Sequence, residues 1–208
     1  WQHKRPRYLA QMRFSAFGLS RTQTSRGQIG ADGLAPDVFS DQARNEASAR
    51  FERAQGKVSF SGNTPELRLL PGAQDRLSVL VQLGALVASE PRRFQPGTTL
   101  NIQTIGPSAG EVWRFTVEAS ESLMLPNGAQ PTLKLMRHPR EPGDQRVEIW
   151  LAPLLGYLPA RIRITDNEVN QFLQEQIKRQ DKTISLGIQD CICIRGRKQI
   201  KRFTVKRY

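Results

Sequence analysis

The feature that most constrains the fold is a period of two in the apolar residues. Tyr8, Ala10, Met12, Phe14 and Ala16 share one parity, and Arg7, Gln11, Arg13 and Ser15 take the other. Successive side chains of an extended chain point to opposite faces, so the segment reads as a strand with one face buried. The pattern returns at Leu100 and Ile102, at Trp113, Phe115 and Val117, at Leu133 and Leu135, and at Val147, Ile149 and Leu151, with Gly or Pro between the runs. Strands punctuated in this way predict an antiparallel meander.

One segment departs from that period. Between Ala73 and Ala88, Leu77, Leu80, Val81 and Gly84 follow i, i+3, i+4 spacing, with Leu83 and Val87 beside them and Pro91 just beyond. This predicts one amphipathic helix whose apolar face lies on the sheet, with Asp75 or Ser78 capping its start. The expected fold class is therefore mainly β: a curved antiparallel sheet or open, barrel-like meander with one amphipathic helix packed on it.

The stretch WLAPLLGYLPARIRI, Trp150 to Ile164, reads as a β-hairpin turning at Leu154 to Gly156. Its expected inward residues are Leu151 with Val147 and Ile149 on the first strand, and Leu158, Ala160, Ile162 and Ile164 on the second. Trp150 then shares the outer face with Glu148, and Tyr157 with Arg161 and Arg163. That face is either a binding surface or a patch in which arginine stems cover aromatic rings as cross-strand neighbours; the second reading is preferred.

The net charge of +12 is unevenly placed. Residues 177–208 hold ten basic and two acidic side chains, with five Lys, five Arg and no Ala; residues 1–176 hold 21 basic and 17 acidic, with three Lys, eighteen Arg and sixteen Ala. We therefore expect a basic N-terminal remnant at 1–6, one β domain at 7–176, and a basic tail of foreign composition at 177–208 that the fold can do without. The opposing reading makes ISLGI, CICI and FTV extra strands. No apolar run reaches the ~18 residues that a membrane-spanning helix needs.

Several chemistries find no support. Gly106 to Gly110 fits G-x-S-x-G around Ser108, but GEVWRFTVEA after it alternates as a strand, whereas a nucleophile elbow needs a helix there. His138 is the single downstream candidate for a base. Cys191 and Cys193 lack two further ligands for a zinc site, and Asp144 and Glu148 read as ordinary solvated charges. No cofactor, metal or catalytic residue is expected. The tail RGRKQIKRFTVKRY offers a phosphate-binding reading, with Phe203 and Tyr208 for stacking, which ranks second.

PGAQDRLSVLVQLGALVA, the segment from VWRFTVEA to the WLAPLLGYLPARIRI hairpin, and more loosely RYLAQMRFSAFG resemble the bacterial DUF3108 family over about residues 7–176, with Asp75, Ser78 and the hairpin as its most specific elements. The resemblance implies a helix packed on a strongly curved antiparallel sheet, in a periplasmic or other cell-envelope protein, and brings no active site. The functional expectation is a noncatalytic envelope domain that binds an apolar or amphipathic, lipid-like ligand. The candidate ligand-binding residues are Phe14, Leu80, Trp113, Phe115, Trp150 and Tyr157.

Overall fold

The computed structural model describes residues 6–16, 19–125, 128–141, 144–165 and 199–207, and only the backbone of 14–16, 19 and 199–207. The strands are β1 (Arg7–Ala16), β2 (Leu19–Gly30), β3 (Gly33–Gln42), β4 (Glu46–Glu52), β5 (Lys57–Phe60), β6 (Leu67–Arg68), β7 (Gln74–Asp75), β8 (Thr99–Ile105), β9 (Gly110–Leu125), β10 (Gly128–Arg137), β11 (Arg146–Ala152), β12 (Leu158–Thr165) and β13 (Gln199–Arg207). The single α-helix of the described residues, α1, is Ser78–Ser89.

They form two sheets. Sheet A has the order β13-β1-β2-β3-β4-β5-β6 and sheet B, which curls as a half-barrel, β12-β11-β10-β9-β8-β7. Neighbours are antiparallel except β7 and β8, which are parallel through Gln74↔Thr104 and Asp75↔Ile105. The fold is thus mainly β with one helix, as the apolar alternation requires. β13, within the segment set apart by composition, pairs antiparallel with β1 from Tyr8↔Arg207 to Ser15↔Gln199, and the rest of 177–208, with Cys191 and Cys193, lies outside the described residues.

The core lies between the sheets. Tyr8, Ala10 and Met12 of β1, Phe39, Ala49, Phe51 and Val58 of sheet A, and Ile102, Trp113, Phe115, Val117, Leu135, Ile149 and Leu151 of sheet B are buried together with Leu77, Leu80, Leu83 and Val87. Parity places the core residues of β1, β9, β10 and β11 and Ile102 of β8, but not Ile105, which is buried in the same core at the opposite parity. The strands β2 to β5 were not anticipated, and β2 shows why: its inward residues Gln23 and Ser25 are polar.

Those polar residues serve the junction between the sheets. Asp75 is fully buried; its Oδ1 accepts the N–H groups of Leu77 at 2.9 Å and Ser78 at 2.7 Å, and its Oδ2 accepts the Ser25 hydroxyl at 2.5 Å. Ser78 Oγ in turn accepts the Asp75 N–H at 2.9 Å, a reciprocal exchange resembling a capping box. The Tyr8 hydroxyl, 2.9 Å from Ser25 Oγ, completes a chain from β1 through β2 to β7. Burial, then the charge of Asp75, pushes the Tyr8 phenol well above its ordinary range, so it remains protonated.

The helix begins at Ser78 rather than at Ala73, because Gln74 and Asp75 are drawn into sheet B and Asp75 satisfies the first free N–H groups. The expected apolar face is buried at Leu80, Leu83, Gly84 and Val87, whereas Val81 is only partly so. Two side-chain contacts fix the helix further. Gln82 accepts the Leu34 N–H and donates to the Asp32 carbonyl, each at 2.8 Å, clipping α1 to the β2–β3 turn. Gly84 lies so close to β12 that a Cβ there would sit 2.4 Å from the Tyr157 carbonyl oxygen.

Two bulges re-aim side chains on sheet B. Between Leu133↔Ser120 and Leu135↔Val117, β9 advances three residues for two of β10, and between Trp150↔Arg161 and Leu151↔Pro159, β12 advances two for one of β11. Leu123, Leu125 and Ala160 therefore join Trp150 and Ala152 in a second, outer apolar cluster. This corrects the expected inward set of the hairpin: Ile162 and Ile164 face the main core, Ala160 does not, and Leu158 is 56% exposed.

Two stability predictions follow from these contacts. Gly84→Ala, which in an open helix would stabilise by up to ~1 kcal/mol, is expected to destabilise by about 1–3 kcal/mol in urea unfolding, because the obstructing atom is backbone. Burial pushes the Asp75 carboxyl from 3.8 up to about 6, against the hydrogen bonds from Ser25, Ser78 and Leu77. The folded state then binds this proton more tightly than the unfolded chain, so ionisation costs stability. The cost is absent below about pH 4 and reaches roughly 3 kcal/mol above about pH 6. Asp75→Asn, which keeps an acceptor for α1, should flatten this slope between pH 4 and 7; Asp75→Ala strands three buried donors and should cost about 3 kcal/mol or more at pH 7.

Candidate ligand-binding site

The six candidate residues fall into separate places. Leu80 of α1 and Trp113 and Phe115 of β9 meet in the main core, 1%, 3% and 0% exposed. The Trp113 and Phe115 rings pack edge to face, centroids 6.0 Å apart and planes at 61°. Phe14 has the parity of the buried Tyr8, Ala10 and Met12 and pairs with Arg21 and Ile200 through its backbone; its side chain is outside the description.

Trp150 lies on the other side of sheet B, 3% exposed in the outer cluster. The Lys134 ammonium stands 5.1 Å from its ring centre, and the guanidiniums of Arg163 and Arg161 at 5.2 and 5.6 Å. The register makes this arrangement, since Trp150 is opposite Lys134 on β10 and Arg161 on β12. The indole N–H donates to Glu121. Glu148, two residues back, is 4% exposed and paired with Lys134 at 2.9 Å, Arg163 at 3.4 Å and Arg146 at 3.5 Å. Burial opposes its ionisation, but Lys134, Arg163 and Arg146 together hold its pKa below the ordinary glutamate range. Cationic stems thus cover the indole, the arrangement of cross-strand packing rather than of an open stacking platform.

Tyr157 does not join this face. A 3-10 turn at Pro153–Leu155 ends in Gly156 at φ +65, and Tyr157 itself holds φ +60. The left-handed turn and the adjacent bulge place Tyr157 against the main core, with its carbonyl at Gly84 of α1. The parity argument that grouped it with Arg161 and Arg163 fails because the hairpin does not stay in register through the turn.

The sequence reading missed a polar corner beside Trp113. Arg137, 1% exposed, donates to both oxygens of Asp144 at 2.8 Å and to Glu111 at 3.1 Å, and its guanidinium lies 4.6 Å over the Trp113 ring. Trp113 Nε1 donates to the same Glu111 oxygen at 2.7 Å, and Arg140 also pairs with Glu111. Burial acts to raise the Asp144 pKa, but the Arg137 hydrogen bond and the Arg140 N–H outweigh it and hold it low. Asp144 and Glu148 are therefore committed ion-pair partners, not ordinary solvated charges. The signal was present: Arg137 continues the inward parity of Leu133 and Leu135, and a buried guanidinium requires carboxylates.

Across the same end of the molecule, Arg21 donates to Asp41 through two hydrogen bonds of 2.5 Å, and Gln23 to Asp41 at 2.8 Å. Between the two ion-pair groups, Arg76 anchors its N–H on the Ile105 carbonyl at 3.1 Å and lays its guanidinium over Gly106, where a Cβ would be 3.0 Å from Nε and 3.2 Å from Cζ. Ser108 occupies the β8–β9 turn, closed by the Gly106 N–H on the Ala109 carbonyl at 2.7 Å, and strand β9 follows at Gly110. His138 stands exposed, 3.7 Å from Glu118. Among the described residues no three His, Cys, Asp or Glu side chains cluster as metal ligands, and no helix is long and apolar enough to cross a membrane.

Comparison with known proteins gives a family. No curated protein matches the chain. A crystal structure of a beta-barrel-like protein of the domain of unknown function DUF1849 from Brucella abortus is similar at 9% identity, covering 98% of each chain with a TM-score of 0.41. The family model of DUF3108, described as a protein of unknown function, matches residues 1–171, including the Asp75–Ser78 helix start and the β11–β12 hairpin. The chain belongs to the DUF3108 family.

Proposed function

We propose that this domain is noncatalytic and binds an apolar or amphipathic, lipid-like ligand between its sheets, in the periplasm or cell envelope of a bacterium. The observation that carries this reading is how the apolar interior is covered. α1 closes it with Leu80, Leu83 and Val87, yet among the described residues no backbone–backbone hydrogen bond joins the helix to either sheet. It is held by side chains at its two edges, Asp75 and Ser78 at the start and Gln82 at the β2–β3 turn. α1 is thus held by side-chain bonds and apolar packing rather than by a strand ladder, and in this reading it is the element that an entering ligand displaces. The interior is filled by the protein's own residues, and binding accordingly requires displacement of α1.

The test uses protein recovered from the periplasmic fraction of cells expressing the full-length gene, where we expect to find it. Titration with the fluorescent fatty acid cis-parinaric acid should saturate and should weaken severalfold in Trp113→Phe or Leu80→Ala variants whose circular dichroism remains native. A linear, non-saturating response from folded protein would remove the reading. The noncatalytic half rests on the Ser108 turn, which is followed by a strand rather than a helix. A fluorophosphonate probe should leave Ser108 unlabelled; stoichiometric labelling lost in Ser108→Ala would make it a nucleophile.

A further inference from the structure

We infer that Arg76 receives the anionic head, a carboxylate or phosphate, of the amphipathic ligand. This rests on the function proposed above and names the chemistry of that ligand. Arg76 sits between the fully buried Asp75 and Leu77, at the rim where β7 enters sheet B. Its guanidinium is partly buried against Gly106, and among the described residues it takes part in no hydrogen bond or ion pair.

The charged groups whose fields reach it are Arg21, Arg137, Asp41 and Asp144. Both carboxylates are already engaged: Asp41 by two bonds from Arg21 and one from Gln23, Asp144 by Arg137 and by the Arg140 and Gln145 N–H groups. β2 explains the geometry from sheet A, because Ser25 bonds Asp75 and the same face continues through Gln23 to Arg21. β9 explains it from sheet B, because Glu111 lies one residue beyond the Gly110 that pairs with Ile105, and Glu111 holds Arg137. Burial, followed by the charges of Arg21 and Arg137, pushes the Arg76 pKa down, the direction expected for a cation without a counter-ion.

A guanidinium presents five donors in a planar fork suited to carboxylate or phosphate, and leaving it partly desolvated and unpaired is costly. Its position relative to the interior identifies the kind of molecule. Arg137 stacks on Trp113, and Trp113 packs on Phe115 in the core, so the cationic rim and the apolar interior are contiguous. An anion at Arg76 therefore lies at a rim that adjoins the apolar interior at Leu77, the next residue in the chain, and an acyl chain is its natural extension there.

The experiment compares cis-parinaric acid with its methyl ester on wild-type protein and on Arg76→Gln, with thermal unfolding of each. The wild type should prefer the acid by about tenfold or more, as a charge-assisted contact provides. Arg76→Gln should lose that preference while binding the ester as the wild type does. In the absence of ligand Arg76→Gln should unfold at the same or a higher temperature, since it removes a repelled cation; a purely structural arginine would lower it. Equal binding of acid and ester by the wild type, or a preference surviving in Arg76→Gln, overturns the head-group assignment and leaves lipid binding intact. Binding of neither probe overturns the proposed function and this assignment with it. Arg76-dependent stabilisation by inorganic phosphate without binding of either lipid assigns the rim to a free anion and equally overturns the head-group role.

Discussion

A single carboxylate ties the three parts of this domain together. Asp75 belongs to sheet B by its parallel pairing with Ile105, to sheet A by its bond from Ser25, and to α1 by the N–H groups of Leu77 and Ser78. Asp75 is fully buried, so every bond is made in a medium where an unmet donor is expensive. That same medium opposes the charge that the bonds favour. The junction is thus both the attachment of the helix and a place where folding works against ionisation, and the position of α1 over the core depends on it.

How far the sequence disclosed this follows from which residues face inward. Where the inward face is apolar, as at Met12, Phe115 or Ile149, a period of two places strand and side chain correctly. β2 turns Gln23 and Ser25 inward, and the alternation vanishes although the strand does not. Asp75 was legible as a cap because a carboxylate before an apolar helical run has a known local use; its bond to Ser25, fifty residues away, has no local signature. The bulges are the other blind spot. One extra residue in β9 and one in β12 invert the parity that places Leu123, Leu125 and Ala160, and nothing in VEAS or LPARIRI marks where it falls.

The candidate ligand residues illustrate the same limit. Leu80, Trp113 and Phe115 were correctly grouped as inward, and the structure brings them together. Trp150 was correctly put on the outer face, where Lys134 joins the two arginines around it. Tyr157 was misassigned because a left-handed turn intervenes. The arginine corner around Trp113 escaped notice because charge was weighed along the chain, whereas Arg21, Arg76 and Arg137 are distant in sequence and meet only when the sheets are assembled.

The strand order has a consequence for how the molecule is made. From β1 to β6 in sheet A, and from β8 to β12 in sheet B, every strand lies beside its sequence neighbour, so those pairings close short loops. The parallel pair β7 and β8 is different: α1 and the following segment must cross over before Asp75 meets Ile105. A ribosome delivers the whole first meander before that residue appears, and the second only after α1 has left the exit tunnel. The newborn chain therefore carries sheet A complete but for its β13 edge, with its apolar side uncovered, and the interval until sheet B arrives is when it is most exposed to sticking to its neighbours.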